Sequence, residues 1–96
     1  MAFKVAGRDK LVKFWIRHGQ ARRPLEAWLA EATQAAWQTP QDIRDRYPTA
    51  SFLSEHRVVF NIKGNDYRLL VAVFFARRHI VIERIGSHAE YDRWGL

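Results

Sequence analysis

The 96-residue chain contains no cysteine. Disulfide scaffolds, thiolate zinc sites and cysteine nucleophiles are therefore excluded. Long apolar runs are also missing. The longest, Leu69 to Ala76, has eight residues, far short of the ~20 a membrane-crossing helix needs. The opening Met1-Ala2-Phe3-Lys4 lacks the apolar stretch of a secretory signal, so no export and a cytoplasmic location are expected. No repeat, low-complexity tract or linker interrupts the chain, and a single domain over residues 1–96 is expected. Acidic charge is scarce: ten Asp and Glu face sixteen Lys and Arg, for a net charge of +6 and a pI near 10.3.

What is present suits a folded protein with a polyanionic partner. Hydrophobic residues make up 48% and charged residues 27%, too apolar a mixture for a disordered chain. A chain of this size buries only about 60–65% of its unfolded surface, so it needs a dense core, a partner, or both. Its Trp, Tyr and Phe side chains suit either use. Twelve of the sixteen cations are Arg, which grips phosphate bidentately and stacks on bases. The plainer reading is a soluble domain that is simply basic.

Periodicity divides the chain into a helical half and a strand half. Leu11, Phe14, Trp15 and His18 recur at helical spacing, with Gly19 suited to the C-terminus of that helix. A second helix is expected from Pro24, with Leu25, Trp28, Leu29, Ala32 and Ala36 as its apolar face. Thr39-Pro40-Gln41-Asp42 reads as an N-cap opening a third helix that ends near Tyr47-Pro48. From Arg57 the period becomes two. Strands are expected over Arg57–Ile62, Tyr67–Phe75 and Ile80–Ile85, with turns at Lys63–Asp66 and Ala76–His79 and a break at Gly86. Ser87 and Glu90 have capping-box spacing and predict a short C-terminal helix. Residues 1–5 suggest a further strand. The fold class expected is α+β, with N-terminal helices on one face of a small antiparallel sheet.

Positive charge is concentrated in residues 1–23 and 56–96, while the stretch between them is net acidic. A hairpin closed by Lys63–Asp66 sets Asn61 opposite Arg68. Arg57, Val59, Asn61 and Lys63 then share a face with Arg68, Leu70, Ala72 and Phe74. The opposite face, from Val58 through Phe60 and Ile62 to Val73, is apolar and should meet the helices. A binding face and an ordinary solvated face are equally compatible with this pattern.

His88, Tyr91 and Asp92 stand at i, i+3 and i+4 on the C-terminal helix and share a side. Histidine suits proton transfer near neutrality, although one beside a helix start also serves commonly as a surface or capping residue. His18, His56, His79 and His88 lie far apart without ligand spacing, so no metal is expected. Asp42 and Asp45 between Arg44 and Arg46 look like solvated salt bridging. Lys63-Gly-Asn-Asp66 holds one glycine and reads as a turn, not a phosphate loop.

The segments Val58-Val-Phe-Asn-Ile-Lys-Gly-Asn-Asp-Tyr-Arg-Leu69 and Gly86-Ser-His-Ala-Glu-Tyr-Asp92, with Trp37 and Tyr47-Pro48-Thr-Ala-Ser51 between the ends, resemble the HigB-type toxins of the wider RelE-like group. The resemblance implies a RelE-like α+β fold and a bacterial mRNA-cleaving toxin. It also implies action on transcripts in the translating ribosome and silencing by a cognate helix-turn-helix antitoxin of the HigA type. DNA would be met only through the antitoxin, and neither a cofactor nor a membrane is implied. The implied chemistry is attack of the substrate's 2′-hydroxyl on the adjacent phosphate.

On that resemblance Arg68 is assigned to the phosphorane and Arg84 is its second arginine, although strand parity places Arg84 with Ile80 and Ile82. Lys63 contacts phosphate or lowers the barrier to proton removal, His88 is the general acid or base, and Tyr91 a stacking or proton-sharing group. Asp92 orients His88, and Asn61 is a second orienting residue. Arg57, Arg77 and Arg78 are candidate RNA contacts, although a soluble hairpin end is the favoured reading of the last two. A non-catalytic RNA- or DNA-binding module and an inactive complex partner are the competing readings.

Overall fold

A computed structural model describes residues 2–96. In chain order it contains β1 (Lys4–Ala6), α1 (Arg8–Arg17), a 3-10 turn (Gly19–Ala21), α2 (Arg22–Gln34), α3 (Pro40–Arg46), β2 (Ser51–Phe52), β3 (Arg57–Ile62), β4 (Tyr67–Phe74), β5 (His79–Ser87) and α4 (His88–Asp92). The strands form one sheet in the order β1-β5-β4-β3-β2.

The α+β class and the central hairpin are as the periodicity required, with Ile62 opposite Tyr67 and Asn61 opposite Arg68. The sheet is mixed and not purely antiparallel, because β1 pairs with β5 in parallel. The N-terminal strand expected over residues 1–5 corresponds to β1, while Met1 lies outside the described residues. The α2 helix ends at Gln34, so Ala36 is not on its apolar face. Gly86 does not end the third strand: β5 continues through it to Ser87.

Both sequence-read caps form. Thr39 accepts from the Asp42 amide while the Asp42 carboxylate accepts from the backbone of Gln38 and Thr39. Those amides hold the Asp42 carboxyl below the usual carboxylate range. Asp42 is therefore a cap and not part of a surface charge ladder. Asp45 accepts from Gln41, and Arg46 reaches back to Glu31 on α2. Tyr47 also donates to Glu31 at 2.7 Å, and burial together with that carboxylate raises its phenol pKa.

The apolar face of the sheet carries the core. Leu11, Leu25, Trp28 and Ile43 from the three helices cover Val58, Phe60, Leu69, Val71, Ile80 and Ile82. Phe60 meets Trp28 edge-on at 5.4 Å and Tyr47 at 5.0 Å, so α2 and the end of α3 lock to β3 through one aromatic cluster. Gly7, at φ 87°, opens α1 against β5; a Cβ there would stand 2.7 Å from the Ile82 carbonyl oxygen. That close approach and the left-handed backbone both require glycine.

The other face of the sheet is only partly open. Val59, Leu70 and Ala72 lie on it yet are almost fully buried. The Arg57–Glu83 ion pair, at 3.0 Å, links β3 to β5 across the strand that carries Leu70 and Ala72. At the β3–β4 turn the His88 amide donates to the Asp66 carbonyl at 3.1 Å, which anchors the start of α4 there.

Candidate active site

One irregularity in the sheet assembles the site. Val71 pairs with Ile82 while Leu70 pairs with Arg84, leaving Glu83 as an extra residue in β5. Such a bulge turns two successive side chains to the same side. Ile80 and Ile82 stay in the core, whereas both Glu83 and Arg84 stand on the open face. The parity that grouped Arg84 with Ile80 and Ile82 is thereby corrected. Arg68 pairs with Gly86, so Arg84 is its diagonal cross-strand neighbour, at a backbone separation of about 7–8 Å.

Aromatic rings from the C-terminal segment join these arginines. The Arg68 guanidinium lies 5.6 Å from the centre of Tyr91, Tyr91 meets Trp94 edge-on at 5.5 Å, and the Arg84 guanidinium lies 5.5 Å from Trp94. Arg68 spends one nitrogen on the carbonyls of Asn65 and Tyr67, leaving donors free in the planar fork. Asn61 is directly across from it. Two cations on one face, spaced by rings that hold them apart, form a ready receptor for a phosphate.

Sequence reasoning missed Trp94 and the part played by Gly86. A Cβ on Gly86 would approach Trp94 Cζ2 to 2.9 Å and Glu90 Cβ to 3.2 Å, so glycine is what lets the indole lie down on β5. The available signal was the capping box. It fixes the phase of the last helix and brings Tyr91 and Trp94, three residues apart, to one side. Substituting Gly86→Val should displace Trp94, loosen the Arg84 side chain and lower thermal stability by about 1–3 kcal/mol. Melting curves and intrinsic tryptophan fluorescence would show both effects. An unchanged emission spectrum would mean that Trp94 does not rest on Gly86.

His88 and Asp92 form the rim. Nδ1 of His88 is 3.4 Å from Asp92 Oδ2, with both side chains at least half exposed. The helix beneath them is held by Ser87 and Glu90, whose carboxylate accepts from the Ser87 amide at 2.9 Å and whose amide donates to Ser87 Oγ at 3.1 Å. That backbone hydrogen bond is the chief reason the Glu90 carboxyl is held below its ordinary 4.5; His18 and Arg17 add to it. A depressed folded-state value means a contribution fully present above 4.5 and lost as pH falls through the folded value. Glu90→Ala should accordingly lower stability at neutral pH by a cap's worth of about 1 kcal/mol. The gap to wild type should close in acid. A gap that persists in acid would assign the effect to packing instead.

The remaining expected residues are placed differently. Lys63 begins the β3–β4 turn at φ 52°. Its ammonium bonds Gln20 Oε1 at 2.8 Å and pairs with Asp66 at 3.4 Å, which draws it towards the helical side. Arg57 is paired with Glu83 in the middle of the open face. Arg77 and Arg78 occupy the β4–β5 turn at the opposite end of β4 from Arg68. Arg78 donates to the Trp37 carbonyl at 3.3 Å and lies over Phe3. Beside the arginine pair, a cleft of about 440 Å³ opens between α1 and α4, with Lys10, Lys13 and Arg17 facing Arg84 and Trp94. Among the described residues no three His, Asp or Glu side chains are grouped to hold a metal ion.

Comparison with known proteins identifies the family. The mRNA interferase toxin HigB of Escherichia coli strain K12 is 27% identical over 79 residues, covering 79% of this chain and 75% of its own. The mRNA interferases HigB of Escherichia coli O157:H7 and Shigella flexneri are similar to the same extent. The family model for the HigB toxin, described as the RelE-like toxic component of a toxin–antitoxin system, matches residues 21–94. That match takes in α2, α3, strands β2 to β5 and the Arg68–Tyr91–Trp94–Arg84 array, and this chain belongs to the HigB toxin family.

Proposed function

We propose that this protein is an endoribonuclease that cleaves mRNA and is silenced by a cognate antitoxin. The observation that carries the reading is the bulge at Glu83, which brings Arg84 to the same face as Arg68 around Tyr91 and Trp94. In the reaction the substrate's 2′-oxygen attacks the adjacent phosphorus and loses its proton to a base. The bond to the 5′-oxygen breaks, and an acid protonates that oxygen. The products are a 2′,3′-cyclic phosphate and a 5′-hydroxyl end. Arg68 and Arg84 neutralise the dianionic phosphorane, a metal-independent route to the stabilisation this step demands. His88, oriented by Asp92, exchanges the proton with the leaving or attacking oxygen. Tyr91 supplies a ring for stacking and a hydroxyl for proton sharing, Asn61 orients the substrate beside Arg68, and Lys63 contributes positive potential at the turn.

The setting proposed is the bacterial cytoplasm, with transcripts on the translating ribosome as substrate and a helix-turn-helix antitoxin of the HigA type as the silencing partner. No helix among the described residues is long and apolar enough to cross a membrane. The test is induced expression in a host lacking the antitoxin, with new 5′-hydroxyl RNA ends mapped for wild type and His88→Ala. New ends inside translated messages, with growth arrest, both lost in the folded variant, are expected. Binding to RNA with no new ends would favour a non-catalytic RNA-binding module instead.

A further inference from the structure

The open face does not end at the arginine pair. At the far end of β4, Phe74 is 39% exposed and its neighbour Val81 37%. The His56 imidazole stacks on the Phe74 ring at 5.5 Å with 24° between the planes. Phe74, Arg77, His79 and Val81 line a shallow depression of about 450 Å³, ample for a nucleobase and its sugar. The register puts Phe74 opposite His79 and Ala72 opposite Val81, on the side of the sheet that bears Arg68.

We infer that Phe74 and His56 form a second subsite, in which a base of the RNA substrate stacks while its scissile phosphate lies at Arg68 and Arg84. The inference rests on the ribonuclease reading above and adds where the substrate runs. From Arg68 to Phe74 is six residues of strand, about 20 Å at the ordinary rise, a distance that a few extended nucleotides span. The ground between is sealed, because Leu70, Val59 and Ala72 are buried and Glu83, the carboxylate there, is matched by Arg57. Arg77 has no ion-pair partner among the described residues and is exposed beside the ring. Exposed aromatic rings with adjacent cations are how proteins hold single strands without reading hydrogen-bond edges. A protein partner is the lesser candidate, since the exposed apolar ground is confined to two side chains.

The experiment uses the full chain and fluorescent 2′-O-methyl RNAs, which cannot be cleaved because the attacking hydroxyl is blocked. One oligomer is too short to reach Phe74 from Arg68, and the other spans the face. Anisotropy titrations should show Phe74→Ala weakening the long RNA about tenfold with the short one unaffected. Phe74→Trp should restore binding. Phe74→Leu, which keeps apolar bulk without a ring, should lose as much as alanine does. Arg68→Ala should weaken both oligomers. Equal affinity of wild type and Phe74→Ala for the long RNA, with Arg68→Ala still impaired, would overturn the subsite and leave the ribonuclease reading standing. Loss of antitoxin capture by Phe74→Ala with RNA binding intact would overturn it in favour of a protein contact. Failure of the wild type to bind either RNA would overturn the subsite, whereas the ribonuclease reading falls only if induced expression yields no new 5′-hydroxyl ends.

Discussion

Arg68→Ala is expected to slow RNA cleavage by about 100- to 1,000-fold, the usual cost of removing one preorganised donor from a developing oxyanion. Its fold should persist. The guanidinium bonds only the carbonyls of Asn65 and Tyr67, at 3.2 and 3.4 Å, and lies against Tyr91 at the surface. Surface changes of that kind stay within about 0.5 kcal/mol. Arg68→Lys keeps the charge but loses the fork, so only a fraction of the rate should return. Because Arg68 and Arg84 are proposed to share one phosphate, Arg68→Ala/Arg84→Ala should cost less than the two single losses multiplied. Cleavage rates on a translated message, beside thermal melts of each variant, make the measurement. A folded Arg68→Ala protein with the wild-type rate would remove Arg68 from the chemistry.

Phe60→Ala should have the largest effect on stability, about 3–5 kcal/mol. The ring is 1% exposed and is the meeting point of Trp28 and Tyr47, so its loss opens a cavity between β3, α2 and the end of α3. For a domain of this size total stability is of order 5–15 kcal/mol, and the melting temperature should fall by more than about 10 °C. Phe60→Leu fills most of the space and should lose much less. Urea unfolding would separate the two, and a drop of under about 1 kcal/mol for Phe60→Ala would mean that the helices close over the gap. Partial loss of activity in cells from this variant would reflect the amount of folded protein and not the site, which lies on the other face of the sheet.

Much of this architecture is written locally. The Thr39/Asp42 and Ser87/Glu90 caps are read from spacing and found in place, because a capping box involves only four consecutive residues. The β3–β4 register follows from a turn whose ends are fixed by the hydrophobic alternation on either side. Together with the antiparallel return of β5 along β4, those features place Arg68, Asn61, His88, Tyr91 and Asp92 near one end of the sheet. The resemblance carried by the same segments agrees with the family match.

Other features depend on contacts between distant residues, and local periodicity is silent about them. Strand parity misplaced Arg84 because a bulge is invisible to a period-two count; it is set where Glu83 meets Arg57 from β3. Gly86 reads as a breaker until Trp94 is seen lying on it, after which the same absence of a side chain keeps the strand continuous and the indole in place. The parallel pairing of β1 with β5 joins residues more than seventy positions apart. Lys63 leaves the open face because Gln20, on the helical side, offers its carbonyl. Composition, periodicity and capping thus determined the elements, the α+β class and the basic, arginine-rich chemistry. Only the tertiary structure decided which arginines share a face, since that depends on a one-residue irregularity in β5, beside the Arg57–Glu83 contact made across the sheet.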